Sequence, residues 1–436
     1  MSDGNPLRAA RAPVLGLAIA AVSAANTAAA RLARRPASDV DPDRVAVAYS
    51  SERWFRQDSR QPRAFAPESA FFPTRDGWVR THATYPHHAR ALLAALRLPS
   101  SSTAAEVASA LAAGTMQTAV TSITARGGLC VAVLPESATE DTRLRQEPLT
   151  PLHRIGRSPR RARLVGDVGA PLRGIRVLDL TRVLAGPVAT RTLALLGADV
   201  LRIDNPRLPE IVWQHLDTGH GKRSTLLDLA SPLDRSIFDG LLETADVIVL
   251  GYRPGTLDRF GLSPDALAER RPGIVIARVS AWGVGGGRGF DSLVQAASGI
   301  ALHESSDGHT PAALPAQALD HSAGYHLAAA ILTAIERQVE EGGSWIASTS
   351  LRRMAAELLG GRHGEHSGKH SGESRLPVAA QPPFDATRHL QHFTVGEHAL
   401  TTTAPAISYP DGPTAFAPPR PWAGDSPVWK VPRGVA

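Results

Sequence analysis

The sequence predicts an α/β protein: a doubly wound, Rossmann-like parallel sheet with a smaller α+β domain. Three observations lead there. From residue 171 onward, short β-rich runs alternate with helical ones, as parallel βαβ units require. Residues 68–165 instead show a hairpin-like strand pair followed by helices. The chain, at 436 residues and 43% apolar, is long enough to fill two or three cores.

Residues 1–50 form an N-terminal helical segment. RAARAPVLGLAIAAVSAANTAAA mimics a secretory leader, with arginines, an Ala-rich run and a small-residue A-x-A. Ser23 and Asn26 interrupt the run, so it reads as one amphipathic helix, not apolar for long enough to span a membrane. The expectation is a packed helix of a cytoplasmic protein. Residues 51–165 form the small α+β domain. There ESAFFPTRDGWVRTHATY gives two strands around an Arg-Asp-Gly turn, HARALLAALRL and TAAEVASALAAG give helices, and GGLCVAVL a buried strand. TPLHRIGRSPRRARLVGDVGA, rich in Pro, Gly and Arg, reads as a linker at 150–170.

Residues 166–360 carry the main sheet. IRVLDLT, DVLRID, STLLDL, ADVIVLGYRP, GIVIARVS and SWIASTS read as strands; AGPVATRTLALLGA, SPDALAERR, the stretch from 318 to about 341, and LRRMAAELLGG read as helices. Ligands on such sheets bind beyond the carboxyl ends of the strands. Those ends carry Thr181–Arg182, Asp204, Gly251–Tyr252–Arg253 and Ser280–Ala281–Trp282. Residues 361–436 comprise a low-complexity loop, GRHGEHSGKHSGES, and an extended Pro-rich tail that wraps over another surface. His363, His366 and His370 in that loop lack the Cys or paired carboxylates of a metal site.

Composition narrows the function. The net charge of +6 is carried almost wholly by Arg, with three lysines in all. No basic cluster alternates with aromatic residues, which argues against a nucleic-acid surface, while a diffuse positive balance suits a small anionic ligand. The single Cys130 excludes an internal disulfide and a multi-Cys metal site and fits a reducing compartment. In TGHGKRSTLLDL, Gly219 and Gly221 precede Lys222–Arg223, an arrangement that suits a phosphate or, equally, a surface turn. Arg253 in GYRPG sits likewise at a strand end. GVGGGRGF at 283–290 fits neither the Walker spacing nor a dinucleotide fingerprint and reads as a flexible or lid-like loop. In ALDHSAGYHLAAAILTAI, Asp320 opens a long apolar helix, either as its N-cap or as a nucleophile held where the helix dipole favours its charge. Spacing alone leaves both open.

Six blocks, in order, resemble the class III CoA-transferases, the family of formyl-CoA transferase and carnitine CoA-transferase. They are PLRGIRVLDLTRVLAGPVATRTLALLGADVLRID, GHGKRSTLLDL, ADVIVLGYRPGTLDRFGLSPDAL, RPGIVIARVSAWG, GFDSLVQAASGI and LPAQALDHSAGYHLAAAILTAI. The resemblance implies that Asp320 is the catalytic nucleophile, passing CoA from an acyl-CoA to a carboxylic acid through an aspartyl anhydride and an aspartyl-CoA thioester. It implies that Arg182, Val183, Ala185, Lys222, Arg223 and Arg253 contact coenzyme A, which is a substrate; no metal or other cofactor is called for. Acyl-CoA and carboxylate substrates and an interlocked homodimer follow from it, with no nucleic-acid or membrane partner. Backbone N–H groups at Ser322–Gly324 are candidates for stabilising the oxyanions, with His321 as scaffold.

Two alternatives accompany this reading. The family also contains α-methylacyl-CoA racemases, whose acid/base His precedes the Asp of the GFDSLVQ block; this chain has Phe290 there, beside Asp291, leaving His321 or His326 as substitutes. The other is a CoA-binding pseudoenzyme. AFFPTRDGWVRTHATYPHHARALLAALRL, similar to the family's small domain, precedes the main sheet instead of following the Asp block, so the arrangement is permuted or partly duplicated. The loop after Asp204 is also short, and no glycine-rich lid follows the nucleophile.

Overall fold

The alternating runs become a seven-stranded sheet in the computed structural model, which describes residues 4–164, 166–367 and 384–430, with the backbone alone over 362–367. The strands are β1 (Arg56–Gln57), β2 (Phe71–Thr74), β3 (Gly77–Thr81), β4 (Cys130–Ala132), β5 (Leu152–Gly156), β6 (Arg176–Leu180) and β7 (Asp199–Asp204). They continue with β8 (Arg223–Leu226), β9 (Val247–Leu250), β10 (Val275–Ser280), β11 (Ser344–Ser350), β12 (Leu390–Val395) and β13 (His398–Thr403). The large sheet has the order β5-β11-β10-β9-β6-β7-β8. All its pairings are parallel except that of β5 with β11. The chain builds outward from β6 to β8, then returns beside β6 at β9 and builds the other way. Helices above and below diverge at that reversal, which leaves a crevice beyond the carboxyl ends of β6 and β9.

Both faces are covered, so the strands are apolar on both sides, as in Val247–Leu250, where all four residues are buried. On one face lie the helices Ala185–Leu195, Ala318–Glu341 and Val14–Leu32, in a core with Val177, Val249 and Val275. On the other, Phe238, Leu241 and Leu267 of the helices Pro232–Leu242 and Pro264–Arg270 pack on Leu178, Ile248 and Ile276. The two central helices approach closely at Gly324, where a Cβ would lie 2.6 Å from the Ala185 carbonyl oxygen.

The small domain forms an antiparallel sheet, β2-β3-β4, around Phe72, Val79, Leu92, Leu111 and Ile123. It includes a helix, Met116–Ala125, that its polar sequence conceals; the Thr115 side chain caps it by accepting from the Thr118 N–H.

Several expectations need correction. The stretch 150–170, read as a linker, supplies β5 on the edge of the main sheet. Val14–Leu32 is 19 residues long and is, by length and composition, apolar enough to cross a membrane, contrary to the reading of its interrupted run. Here its Leu17, Ala21, Ala25 and Ala28 lie in the main core instead. The final helix continues through the expected loop as far as Ser367, so the backbone at His363 and His366 is helical; His370 lies outside the described residues. The Pro-rich tail does run over another surface. Trp422 donates to Asp204 at 3.0 Å, and the backbone of Asp425 and its side chain bond both sides of the Ser224 peptide on β8.

Candidate active site

The crevice at the sheet's reversal is a cavity of about 350 Å³. Arg182, Val183 and Ala185 line it from the end of β6, Tyr252 and Arg253 from the end of β9, and Asp320 from the first turn of its helix. Four of the six residues expected to contact CoA therefore meet the expected nucleophile. Arg253 is exposed at the rim, as is Arg288 of the glycine-rich loop. That loop folds on itself, with the Trp282 Nε1 donating to the Arg288 carbonyl at 3.1 Å.

Lys222 and Arg223 do not join them. Lys222 is 2% exposed, beneath the β6 loop, donating to Asp179 at 3.1 Å and to the Pro187 carbonyl at 2.9 Å. Burial lowers its pKa to about 8 against the pull of Asp179. Arg223 pairs with Asp199 at 2.9 Å and donates to the Val428 carbonyl of the tail. Both cations are committed to structure. The sequence cannot distinguish a lysine beside a phosphate from one buried on a carboxylate.

Arg182 is held by Glu210, an unforeseen residue. The Arg182 Nε lies 3.5 Å from the Glu210 Oε2, and its Nη2 donates to the Pro209 carbonyl at 2.9 Å. The same carboxylate accepts from the Arg202 Nη2 and from the Tyr85 hydroxyl, each at 2.6 Å. Burial alone would raise Glu210, but Arg202 and Arg182 hold it down to about 2. Because Tyr85 comes from the small domain, this carboxylate ties that domain to the crevice. It also accepts from the Val183 N–H at 3.4 Å. Val183 has φ +68°, a conformation costly for a β-branched residue and found where a fixed backbone shapes a site.

Asp320 does not cap its helix. The N-cap position is Gln317, and the Asp320 N–H donates to the Asp291 Oδ2 at 2.9 Å. Asp291, itself held by the Gln295 Nε2 at 2.6 Å, thus supplies the acceptor that the helix start needs. Ser322–Gly324 lie inside the helix, where backbone N–H groups are spent on the preceding turn, so they are not free for an oxyanion. The two carboxyls are buried side by side. Burial, and then the Asp291 charge, raises Asp320 well above the ordinary range; burial pushes Asp291 to about 6.

A second, smaller cavity of about 40 Å³ adjoins the crevice; Tyr85, Val183, Phe290 and Asp320 line both. Its wall includes Glu52, His82, Gln214 and Asp217, none of which stood out in the sequence. His82 stacks on Phe290 with ring centroids 3.9 Å apart, and burial lowers its pKa to about 3. The histidines offered as racemase substitutes are elsewhere. His321 stacks on Tyr49 at 4.9 Å in the core, and His326 lines a groove beside Val14–Leu32.

Residues 172–388 match the model of CoA-transferase family III. Through this segment the chain belongs to that family. The family III segment is 30% identical over 227 residues to "Probable fatty acyl-CoA transferase Rv3272" of Mycobacterium tuberculosis, covering 48% of this chain and 58% of that protein. It is 33% identical over 215 residues to "Acetyl-coenzyme A transferase nodX" of Hypoxylon pulicicidum, covering 45% and 35%. A formyl-CoA:oxalate CoA-transferase of Rhodopseudomonas palustris is 30% identical over 186 residues, 39% and 44%. The chain therefore spans between 35% and 58% of these relatives' lengths. A solved structure of the hypothetical protein Rv3272 from M. tuberculosis is 31% identical, with a TM-score of 0.42 over 45% of this chain and 60% of that one. All seven residues expected at the site fall within the family III segment, whereas Glu52, His82 and Tyr85 precede it.

Proposed function

We propose that this family III member transfers coenzyme A from an acyl-CoA thioester to a carboxylic acid, with Asp320 as nucleophile and CoA held in the crevice. The supporting observation is Asp320's position where an arginine-rimmed crevice meets an enclosed cavity. An anionic cofactor-like substrate fits the first and its acyl group the second.

In this reading an Asp320 carboxylate oxygen attacks the thioester carbonyl, the C–S bond breaks, and CoA leaves as thiolate with the acyl group on Asp320 as an anhydride. The thiolate attacks the Asp320 carboxyl carbon, the anhydride C–O bond breaks, and the acyl group departs as a carboxylate. The acceptor carboxylate then attacks the aspartyl-CoA thioester and the two steps run in reverse, returning Asp320. No proton is consumed, and thioester and anhydride are close in energy, so the chemistry calls for neither metal nor redox cofactor. Holding the thioester against Asp320 is worth about 7–11 kcal/mol of the barrier. Arg253 and Arg288 supply the cations for the phosphates, and the Arg182–Glu210–Tyr85 network fixes the crevice wall.

Asp320 must be ionised to attack. Its raised pKa means activity is lost as pH falls through that value, above the range of ordinary carboxylates. A cytoplasmic homodimer is part of the same proposal. The racemase reading loses support, since burial lowers the histidines that share a cavity with Asp320, His82 and His88 each to about 3 and His87 below its ordinary value, making them weak bases.

The test is to incubate the protein with a panel of acyl-CoAs, trap with hydroxylamine, and search for a mass change at Asp320. Labelling of that residue is expected. A panel that leaves it unmodified rules out the nucleophile, and deuterium entering an α-methylacyl-CoA would restore the racemase.

A further inference from the structure

We infer that the small cavity beside Asp320 receives the tail of the acyl or acceptor group and selects one carrying a hydrogen-bond donor, an alcohol or amine, while rejecting a second carboxylate. The inference rests on the transferase reading and adds a substrate class to it.

The cavity is small. Its volume of about 40 Å³ holds roughly three water-sized groups at about 10–15 Å³ each, so the tail is two or three atoms long. Its charge is one-sided. Glu52, Asp217 and Asp320 all line it, and no Arg or Lys does among the described residues. Asp217 is 1% exposed; its Oδ2 accepts from the Ser51 hydroxyl at 2.6 Å, while its Oδ1 has no hydrogen-bond partner. The Gln214 Oε1 on the same wall is likewise buried without one. Buried acceptors left unpaired are costly, and a ligand that donates to them recovers that cost.

A carboxylate tail would meet the opposite. Two guanidiniums stand behind this wall: Arg191 donates to the Asp217 backbone carbonyl at 2.8 Å and stacks on Phe416, and Arg182, 4.9 Å from the Tyr85 ring centre, is held by Glu210. His82 is neutral, so it offers no charge. Burial, reinforced by the Asp217 charge, already pushes Glu52 up to about 7, so the wall resists the anions it has. An ammonium or hydroxyl relieves that resistance; another carboxylate adds to it. Ser51, Glu52 and His82 lie outside the family III segment and Gln214 and Asp217 inside it, so the N-terminal part and the family III segment build this selectivity together.

Four CoA thioesters of equal chain length test it: propionyl, 3-hydroxypropionyl, 3-aminopropionyl and malonyl. The readout is the rate of hydroxylamine-trapped labelling at Asp320 of the full chain. The hydroxy and amino thioesters should label about tenfold faster than propionyl-CoA, and malonyl-CoA slowest. Glu52→Lys should invert the order of malonyl and aminopropionyl. Malonyl-CoA labelling as fast as the donor-bearing thioesters overturns the inference while leaving Asp320 as nucleophile. If no thioester labels Asp320, the nucleophile fails separately, and calorimetry with the free acids still reads the cavity. Malonate binding as tightly as β-alanine or 3-hydroxypropionate overturns the selectivity, and weaker malonate binding supports it. Should Glu52→Lys fail to fold, the wild-type series decides alone.

Discussion

Two pairs of cations, alike in the sequence, have opposite fates in the structure. Lys222 and Arg223 stand at the start of β8, Arg182 and Arg253 after the ends of β6 and β9, and each pair sits in a glycine- or proline-marked loop. The first pair is buried against Asp179 and Asp199, whereas the second lines the crevice. Lys222 and Arg223 are buried on their carboxylates away from the crevice, whereas Arg182, though held by Glu210, still lines it and Arg253 is exposed at its rim; which carboxylate lies opposite Lys222 is decided by strand order. Asp179 and Lys222 are 43 residues apart in the chain.

The largest effect is expected at the carboxylate that both pairs were thought to serve. Asp320→Asn should remove the trapped adduct and lower turnover by on the order of 10³ or more, with folding retained by circular dichroism. Next, Lys222→Met should cost about 3–5 kcal/mol in urea unfolding, because it strands the Asp179 charge in the core. The KM for acyl-CoA of the folded fraction should stay constant. A raised KM with unchanged stability would instead return Lys222 to the CoA site and erase the contrast. Arg253→Ala should do the reverse, raising KM about tenfold, roughly 1.4 kcal/mol, while stability moves by no more than about 0.5 kcal/mol. The smallest effect is expected from Asp291→Asn. Asn keeps an acceptor for the Asp320 N–H but removes a like charge, so the acid limb of the pH–rate profile should move to lower pH, a gain of a few-fold near its foot. An unmoved limb would mean that burial alone sets the acidity of Asp320.

Much of the sheet was legible because each strand is a continuous apolar run bounded by turn residues, as in ADVIVLGYRP. β5 was not, since LHRIG is an edge strand with only two apolar side chains in five residues, flanked by Arg and Pro. Asp320 stands out by its place before an apolar helix, but the carboxylate that accepts from that helix start is Asp291, 29 residues away. The small cavity was illegible for a related reason. Glu52, His82 and Asp217 come from three separate elements, and no spacing in the chain links them. Glu210 sits in an undistinguished RLPEIVW and gains its role only when Arg202, Arg182 and Tyr85 converge on it.

The tail that crosses β8 has a consequence beyond the site. A strand at the margin of a sheet is a template on which a foreign chain can polymerise. Here Asp425 occupies both the N–H and the carbonyl of Ser224, and neighbouring prolines cannot pass the pattern on to another strand. The segment thus protects the molecule against aggregation, and trimming it should first be felt as loss of solubility at high concentration.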